Sequence, residues 1–198
     1  MFLDSTGRAY ALPAHTLPSA RGLGDPLSGR LQPPDGARFI AVIMGEEEER
    51  YVLATSAGYG FVVRAGDLYS RNKAGKTILT VPAGAEVLVP APVHPDAELL
   101  VAASNRGRLL AYPVSELPEL SRGKGNKIMA IPKDKLLAGE EQMVAIACVG
   151  EGDTLKVLSG KRHLSLSARE LEHYHGERGR RGRKLPRGFQ RVDALQAS

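Results

Sequence analysis

The stretch Glu98–Pro132, ELLVAASNRGRLLAYPVSELPELSRGKGNKIMAIP, decides the fold. It opens on an apolar run, Leu99 to Ala103, that ends at Ser104. A turn at Asn105-Arg106-Gly107 follows, then a second apolar run, Leu109 to Tyr112. Runs of this length bounded by turn residues read as two strands of a hairpin. Glycine suits the turn because it takes positive φ without a Cβ clash. A connector carrying Leu117 leads to the basic, glycine-rich loop Ser121-Arg122-Gly123-Lys124-Gly125-Asn126-Lys127. A third run, Ile128 to Ile131, stops at Pro132, and a fourth, Met143 to Val149, completes the unit.

Working outward, the same unit recurs. Aligned on the serine of the first hairpin, the copies centre on Ser5, Ser56, Ser104 and Ser159, spaced by 51, 48 and 55 residues. Leu17, Leu68, Leu117 and Leu171 follow at offsets of 12, 12, 13 and 12. The third run is weak at Arg30-Leu31-Gln32, clear at Ile78 to Val81 and Ile128 to Ile131, and marginal at Lys184-Leu185-Pro186. The fourth falls at Phe39 to Met44, Glu86 to Pro90, Met143 to Val149 and Phe189 to Leu195. Four short strands per period of about 50 residues predict an all-β, propeller-like array of about four four-stranded blades. Such sheets cannot bury both faces alone, so neighbours must stack. The approximate blades are 1–50, 51–97, 98–153 and 154–198 of one repeat domain. The chain opens inside a strand, which reads as a fragment of a longer subunit.

The composition fits this reading: 198 residues, 42% apolar and 25% charged, with 22 Gly and 13 Pro. No apolar run approaches a membrane span, and Met1-Phe2-Leu3 meets Asp4 without a basic leader, so a cytoplasmic chain without membrane insertion is expected. The single cysteine, Cys148 in MVAIACV, reads as a small buried hydrophobe rather than a nucleophile.

Charge is unevenly spread. Segments 71–76, 121–135 and 176–191 together carry +13 of a net +5, leaving −8 for the rest. Each unit places glycine and basic residues after its leucine: Arg21 to Gly24; Arg71, Lys73 and Lys76; Arg122, Lys124 and Lys127; and Arg178, Arg180, Arg181, Arg183 and Lys184. One such loop is ordinarily a solvated turn, but the same loop recurring four times points to a polyanion. Glycine lets backbone amides approach phosphate oxygens, and Arg and Lys release counterions. No base-reading helix accompanies the loops, so backbone contacts are expected. For the last unit, a mobile basic arm is the alternative.

Other motifs fail. Gly75-Lys76-Thr77 ends like a P-loop, but position 70 is Ser70 and no strand-to-helix context surrounds it. His173 and His175 lack companion ligands. No G-x-S-x-G occurs, and Glu46 to Glu49 read as a solvated hairpin tip. Tyr59 and Phe61 read as packing between units, with Tyr59 exposed as the alternative at its turn position. Nothing supports an independent enzyme.

The strings Ser5-Thr6-Gly7-Arg8, Leu17 to Gly22, Ser56 to Phe61, Arg71 to Lys76, Pro113 to Pro118, Gly123 to Ile128 and Gly176 to Gly182 resemble the C-terminal region of bacterial topoisomerase IV A subunits (ParC), over essentially the whole chain. The resemblance implies a β-pinwheel, a propeller-like ring that is often open or broken and whose blades exchange a strand. It implies a basic rim that binds and bends duplex DNA, and a role in choosing the segment passed, favouring positive supercoils and linked duplexes. The related gyrase A domains carry a glutamine-arginine-arginine-glycine-glycine-lysine-glycine box. Here only Ser121-Arg122-Gly123-Lys124-Gly125 approaches it, which argues against gyrase-type wrapping. The family's cleaving tyrosine, metal carboxylates and ATPase lie elsewhere, so no cofactor is expected in this chain, ATP and Mg acting in other parts of the holoenzyme. Implied partners are duplex DNA, the remainder of the topoisomerase IV A subunit, the B (ATPase) subunit and an SMC-type condensing protein. The competing reading is a protein-interaction propeller whose basic loops meet acidic partners.

Overall fold

The computed structural model describes residues 1–19 and 21–198; Ala20, within the Leu17 to Gly22 string, lies outside them. Fifteen strands form four sheets among the described residues. The first sheet contains β1 (Phe2–Asp4), β2 (Arg8–Tyr10) and β3 (Phe39–Val42). The second contains β4 (Arg50–Thr55) and β5 (Tyr59–Arg64); β6 (Lys76–Thr77) and β7 (Ala91–Val93) follow them in the chain. The third is built on β8 (Ala97–Ser104) and β9 (Arg108–Pro113), followed by β10 (Asn126–Lys127) and β11 (Met143–Gly150). The last holds β12 (Leu155–Ser159), β13 (Arg162–Leu166) and β15 (Ala194–Ala197), with β14 (Arg183–Lys184) between the last two in the chain.

The pairing order departs from the chain order in a regular way. The sheets read β3-β1-β2-β6, β10-β5-β4-β7, β11-β8-β9-β14 and β13-β12-β15. Thus β6, β10 and β14 each leave their own unit to complete the preceding sheet. This strand exchange makes the array a pinwheel rather than a propeller of self-contained blades, and the sheets interleave across the boundaries read from the sequence. The last sheet receives no such strand and has three. No strand pairing joins the first sheet to the last among the described residues, consistent with an open ring.

Four expected strands shift. The apolar runs Ile78 to Val81 and Ile128 to Ile131 are not ladders; pairing falls on the two residues before each. The runs instead insert Ile78, Leu79, Ile128 and Met129 into the core. In the second unit, pairing of the fourth strand falls on Ala91–Val93, with Val87 making only a bridge to Thr55. In the fourth it falls on Ala194–Ala197 instead of Phe189 to Leu195, whose Val192 turns into the core. Two short helices, α1 (Lys133–Leu137) and α2 (Ala168–Leu171), lie in connectors.

Core residues sit between sheets, as stacking requires. Period-2 alternation sends Val52 and Ala54 of β4 into the cluster against the third sheet, and Tyr51 and Leu53 into the cluster against the first. Likewise Leu100 and Ala102 of β8 face back, while Val101 and Ala103 face the fourth sheet. Leu68, Leu117 and Leu171 each fill one inter-sheet cluster, a burial worth about 1.5–3 kcal/mol apiece. Leu17, at the same offset, is 38% exposed and joins no cluster.

The hairpin turns carry a repeated clip. Ser5 Oγ, Ser56 Oγ and Asn105 Oδ1 accept from the N–H of Arg38, Glu86 and Gln142 at 3.0, 2.9 and 3.0 Å. Each clip residue's own N–H donates back to the same partner's carbonyl. The third unit therefore aligns on Asn105, not Ser104. The correction turns its leucine offset from 13 into the 12 of the others. The fourth unit has a tighter turn, Ser159 facing Arg162, and reverses the clip: Asp193 Oδ2 accepts from Gly160 N–H at 2.6 Å.

Candidate nucleic-acid interface

Three of the four basic loops are held on the outer edge of the preceding blade by three successive anchors. The first is a glycine at positive φ: Gly75 (65°), Gly125 (76°) and Gly182 (74°). A Cβ at Gly75 would lie 2.7 Å from Ala9 O and one at Gly182 2.5 Å from Leu109 O, while at Gly125 it would overlap Gly60 O. In the sequence these glycines read as room for phosphate. The structure gives them another task, letting the crossing segment touch the backbone of the strand it joins. The second anchor is the two-residue ladder, Lys76 opposite Ala9, Lys127 opposite Tyr59 and Lys184 opposite Arg108. The third is the aliphatic residue beyond. Ile78 and Leu79 N–H donate to Gly7 O at 3.0 Å each, Ile128 and Met129 to Gly58 O at 2.7 and 3.3 Å, and Leu185 to Gly107 O at 2.8 Å.

Arg71, Lys73 and Lys76 therefore decorate blade one, Arg122, Lys124 and Lys127 blade two, and Arg178, Arg180, Arg181, Arg183 and Lys184 blade three. Successive loops are also stitched together. Gly123 N–H donates to Ile78 O (2.8 Å) and Thr80 N–H to Gly123 O (2.9 Å). One blade on, Gly179 N–H donates to Ile128 O and Ala130 N–H to Arg180 O, both at 3.0 Å. Lys76 and Arg122 line one hollow between the first two loops. The result is a continuous basic band over three blades.

The residues differ in how free they are. Arg71, Lys73, Lys76, Arg122, Lys124, Lys127, Arg183 and Lys184 are exposed and form no ion pair among the described residues. Lys124 Nζ lies 3.9 Å above the Tyr59 ring, with Lys127 Nζ at 5.8 Å. Tyr59 is thus a half-buried platform for the exchanged loop, whereas Phe61 is fully buried between sheets. Arg180 pairs with exposed Glu177 at 2.8 Å. Arg181 closes on Glu141, whose side chain is 2% exposed, and Arg178 donates to Lys127 O at 2.9 Å. The segment from Arg178 to Lys184 is accordingly pinned along blade three rather than hanging as an arm. Arg21 stands apart: its loop is exposed and joins no sheet, and Gly24 has open space around it. The fourfold recurrence in sequence is threefold in the band.

Sequence reasoning misses the turn arginines. Arg8 Nη1 donates to Ala74 O and Arg108 Nη1 to Gly182 O, both at 3.0 Å, clamping the exchanged loop where Tyr59 takes a lysine instead. Their signal is the pair of Gly-Arg dipeptides, Gly7-Arg8 and Gly107-Arg108.

The band's chemistry is that of positive charge on short loops. The helices have five and four residues, too short to read a groove. Burial pushes the Cys148 thiol up to about 12, which keeps it protonated. No metal-holding cluster occurs among the described residues, and none of their helices is long and apolar enough to cross a membrane.

Comparison with known proteins places the chain. The family described as DNA gyrase C-terminal domain, beta-propeller, matches residues 49–93 and 98–149, the second and third units. The A subunit of DNA topoisomerase 4 from Pseudomonas aeruginosa is 54% identical over 98% of the chain, and that from Escherichia coli 44% identical over 99%. In each case the chain spans 26% of the relative's length. The solved E. coli ParC C-terminal domain superposes with a TM-score of 0.90 at 43% identity, covering 100% of this chain and 80% of that one. A DNA gyrase A C-terminal domain shares the fold at 16% identity and a TM-score of 0.75, covering 100% of this chain and 64% of that one.

Proposed function

Because the chain belongs to the C-terminal domains of topoisomerase IV A subunits (ParC), within the wider gyrase A C-terminal family, we propose that it is a noncatalytic module that binds and bends duplex DNA. The observation that carries this reading is the band itself. Eight cations without an ion-pair partner among the described residues stand on three blades, on loops fixed by strand exchange. Because the loop backbones are already fixed, binding need not order them, and the cations they carry release counterions from the phosphates they meet. A curved array of such sites favours a curved duplex. Bending a short site costs about 1–6 kcal/mol, which distributed contacts must offset. DNA already bent or crossed binds with less of that cost, a route to topology preference without base reading. In the holoenzyme the module would help select positively supercoiled or linked segments, with strand cleavage, Mg and ATP chemistry in the remaining parts of the A and B subunits. The absence of a complete gyrase box favours local bending over full wrapping.

The test is binding of labelled linear duplex across a salt series, comparing the chain with K73A/K76A and K124A/K127A variants. Each lost phosphate contact should flatten the slope of log affinity against log salt by about 0.9. Unchanged slopes would remove the band from the DNA site. A partner captured after nuclease treatment, with no duplex binding, would instead support an acidic or SMC-type protein on the loops.

A further inference from the structure

The exchanged loops carry the band only as far as Arg183–Lys184, because the fourth blade receives no strand. At that point a groove of about 1070 Å³ opens between the third and fourth blades. Its six cations come from four separate segments: Arg106 and Arg108 from the third hairpin, Lys135 from α1, Arg181 and Lys184 from the exchanged segment and Arg191 from the approach to β15. Of its two acids, Glu141 is buried and Asp193 is exposed, and both are engaged. Glu141 is buried under Arg181, and Asp193 accepts from Gly160 N–H at 2.6 Å while Arg191 Nε lies 3.4 Å from its other oxygen. Arg106, Lys135 and Lys184 have no ion-pair partner among the described residues. The hollow along β7, β11 and β15 has the opposite character: it presents Asp96, Asp153 and Asp193, the last shared with the groove, and no Lys or Arg among the described residues lines it. The cations at this junction are therefore gathered in the groove. The polar groove also lacks the apolar lining a small-molecule pocket uses.

We propose that this groove is a further phosphate site, seating the backbone of duplex DNA where the band of exchanged loops ends. The inference rests on the DNA-binding reading and extends it to residues outside the glycine-rich loops. Lys184 lines the groove and belongs to the band, so a duplex followed along the loops meets Arg106, Lys135 and Arg191 next. Track and groove together would carry DNA onto the fourth blade without a fourth exchanged loop.

The experiment compares the chain with R106A/K135A/R191A, with K73A/K76A/K124A/K127A, and with the charge-keeping R106K/R191K. Each is titrated with a long labelled duplex across a salt series, then with inorganic phosphate alone. Thermal melting checks that each variant folds. The groove variant should bind duplex at least about tenfold more weakly near 0.1 M salt, with a slope shallower by about two to three, while R106K/R191K binds as the parent does. Weakening by the band variant but not by the groove variant overturns the groove and leaves the proposed function standing. Unchanged binding in both overturns both. A groove variant that loses phosphate binding but keeps its duplex affinity identifies a small-anion site and overturns the DNA assignment.

Discussion

Two buried tyrosines show how a single hydroxyl changes sign with its surroundings. Tyr10 OH donates to Asp4 Oδ2 at 2.6 Å inside the first hairpin, where Asp4 also takes the N–H groups of Thr6 and Arg8. Tyr112 OH, in the core between the second and third blades, has no hydrogen-bond partner among the described residues. Burial raises the pKa of both phenols; the Asp4 carboxylate adds to the effect at Tyr10. Tyr10→Phe removes a hydrogen bond to a buried carboxylate and should cost about 1.5–3 kcal/mol. Tyr112→Phe removes an unsatisfied group and should be neutral or stabilising by up to about 1 kcal/mol. Urea denaturation of the two variants measures the contrast. Equal losses would mean that Tyr112 finds a partner in solution.

At the scale of elements, the exchanged segments depend on a glycine contact that a turn glycine elsewhere lacks. Gly125→Ala would drive a methyl into the Gly60 carbonyl and strain a positive φ, so a loss of at least about 2 kcal/mol is expected. Gly24→Ala strains φ alone, with nothing within 4 Å, and should cost about 1 kcal/mol. Melting temperatures separate them. Weakened duplex binding by Gly125→Ala alone, measured well below its melting point, would tie Lys124 and Lys127 to the exchange. The sequence carries much of this element. Runs such as Leu99 to Ala103, the recurring leucines and the basic loops are local patterns, and each marks a burial or a turn. It does not carry the destination of the exchanged strand. Two residues such as Asn126-Lys127 contain no period that says which sheet they join, and the longer run beside them, Ile128 to Ile131, looks more strand-like because it is buried. Asn105 escapes an alignment on serines because an amide oxygen serves the clip as well as a serine hydroxyl does. The pairing of Arg181 with Glu141 joins residues 40 apart, a relation no spacing reveals.

Across the whole molecule, the two inner blades pack against a neighbouring sheet on both faces and the outer ones on one. On the first sheet, Phe2, Tyr10 and Leu31 form a separate cluster, with Phe39 set edge-on to Phe2 and Tyr10 at 6.0 and 5.5 Å. The fourth sheet faces outward with the exposed Lys156, His163 and Ser165. Its β13 edge, the counterpart of the β2, β5 and β9 edges that take exchanged strands, pairs with no strand beyond β12 among the described residues. Stability in such an array is close to a sum of units and their interfaces, so it cannot be uniform. The fourth blade has three strands and one inter-sheet core, while blades two and three each have four strands and two cores. Native-state hydrogen exchange should therefore find the slowest amides in β4, β5, β8, β9 and β11. The β12, β13 and β15 amides should open at lower free energy. Adding saturating duplex should slow exchange at Asn126–Lys127 and Arg183–Lys184 if the band holds DNA. Protection of β12 and β13 by the same duplex, lost in R106A/K135A/R191A, would show DNA reaching the fourth blade through the groove. Uniform exchange across all four sheets would instead mean that the blades unfold as one unit and that strand exchange couples them more tightly than their cores do.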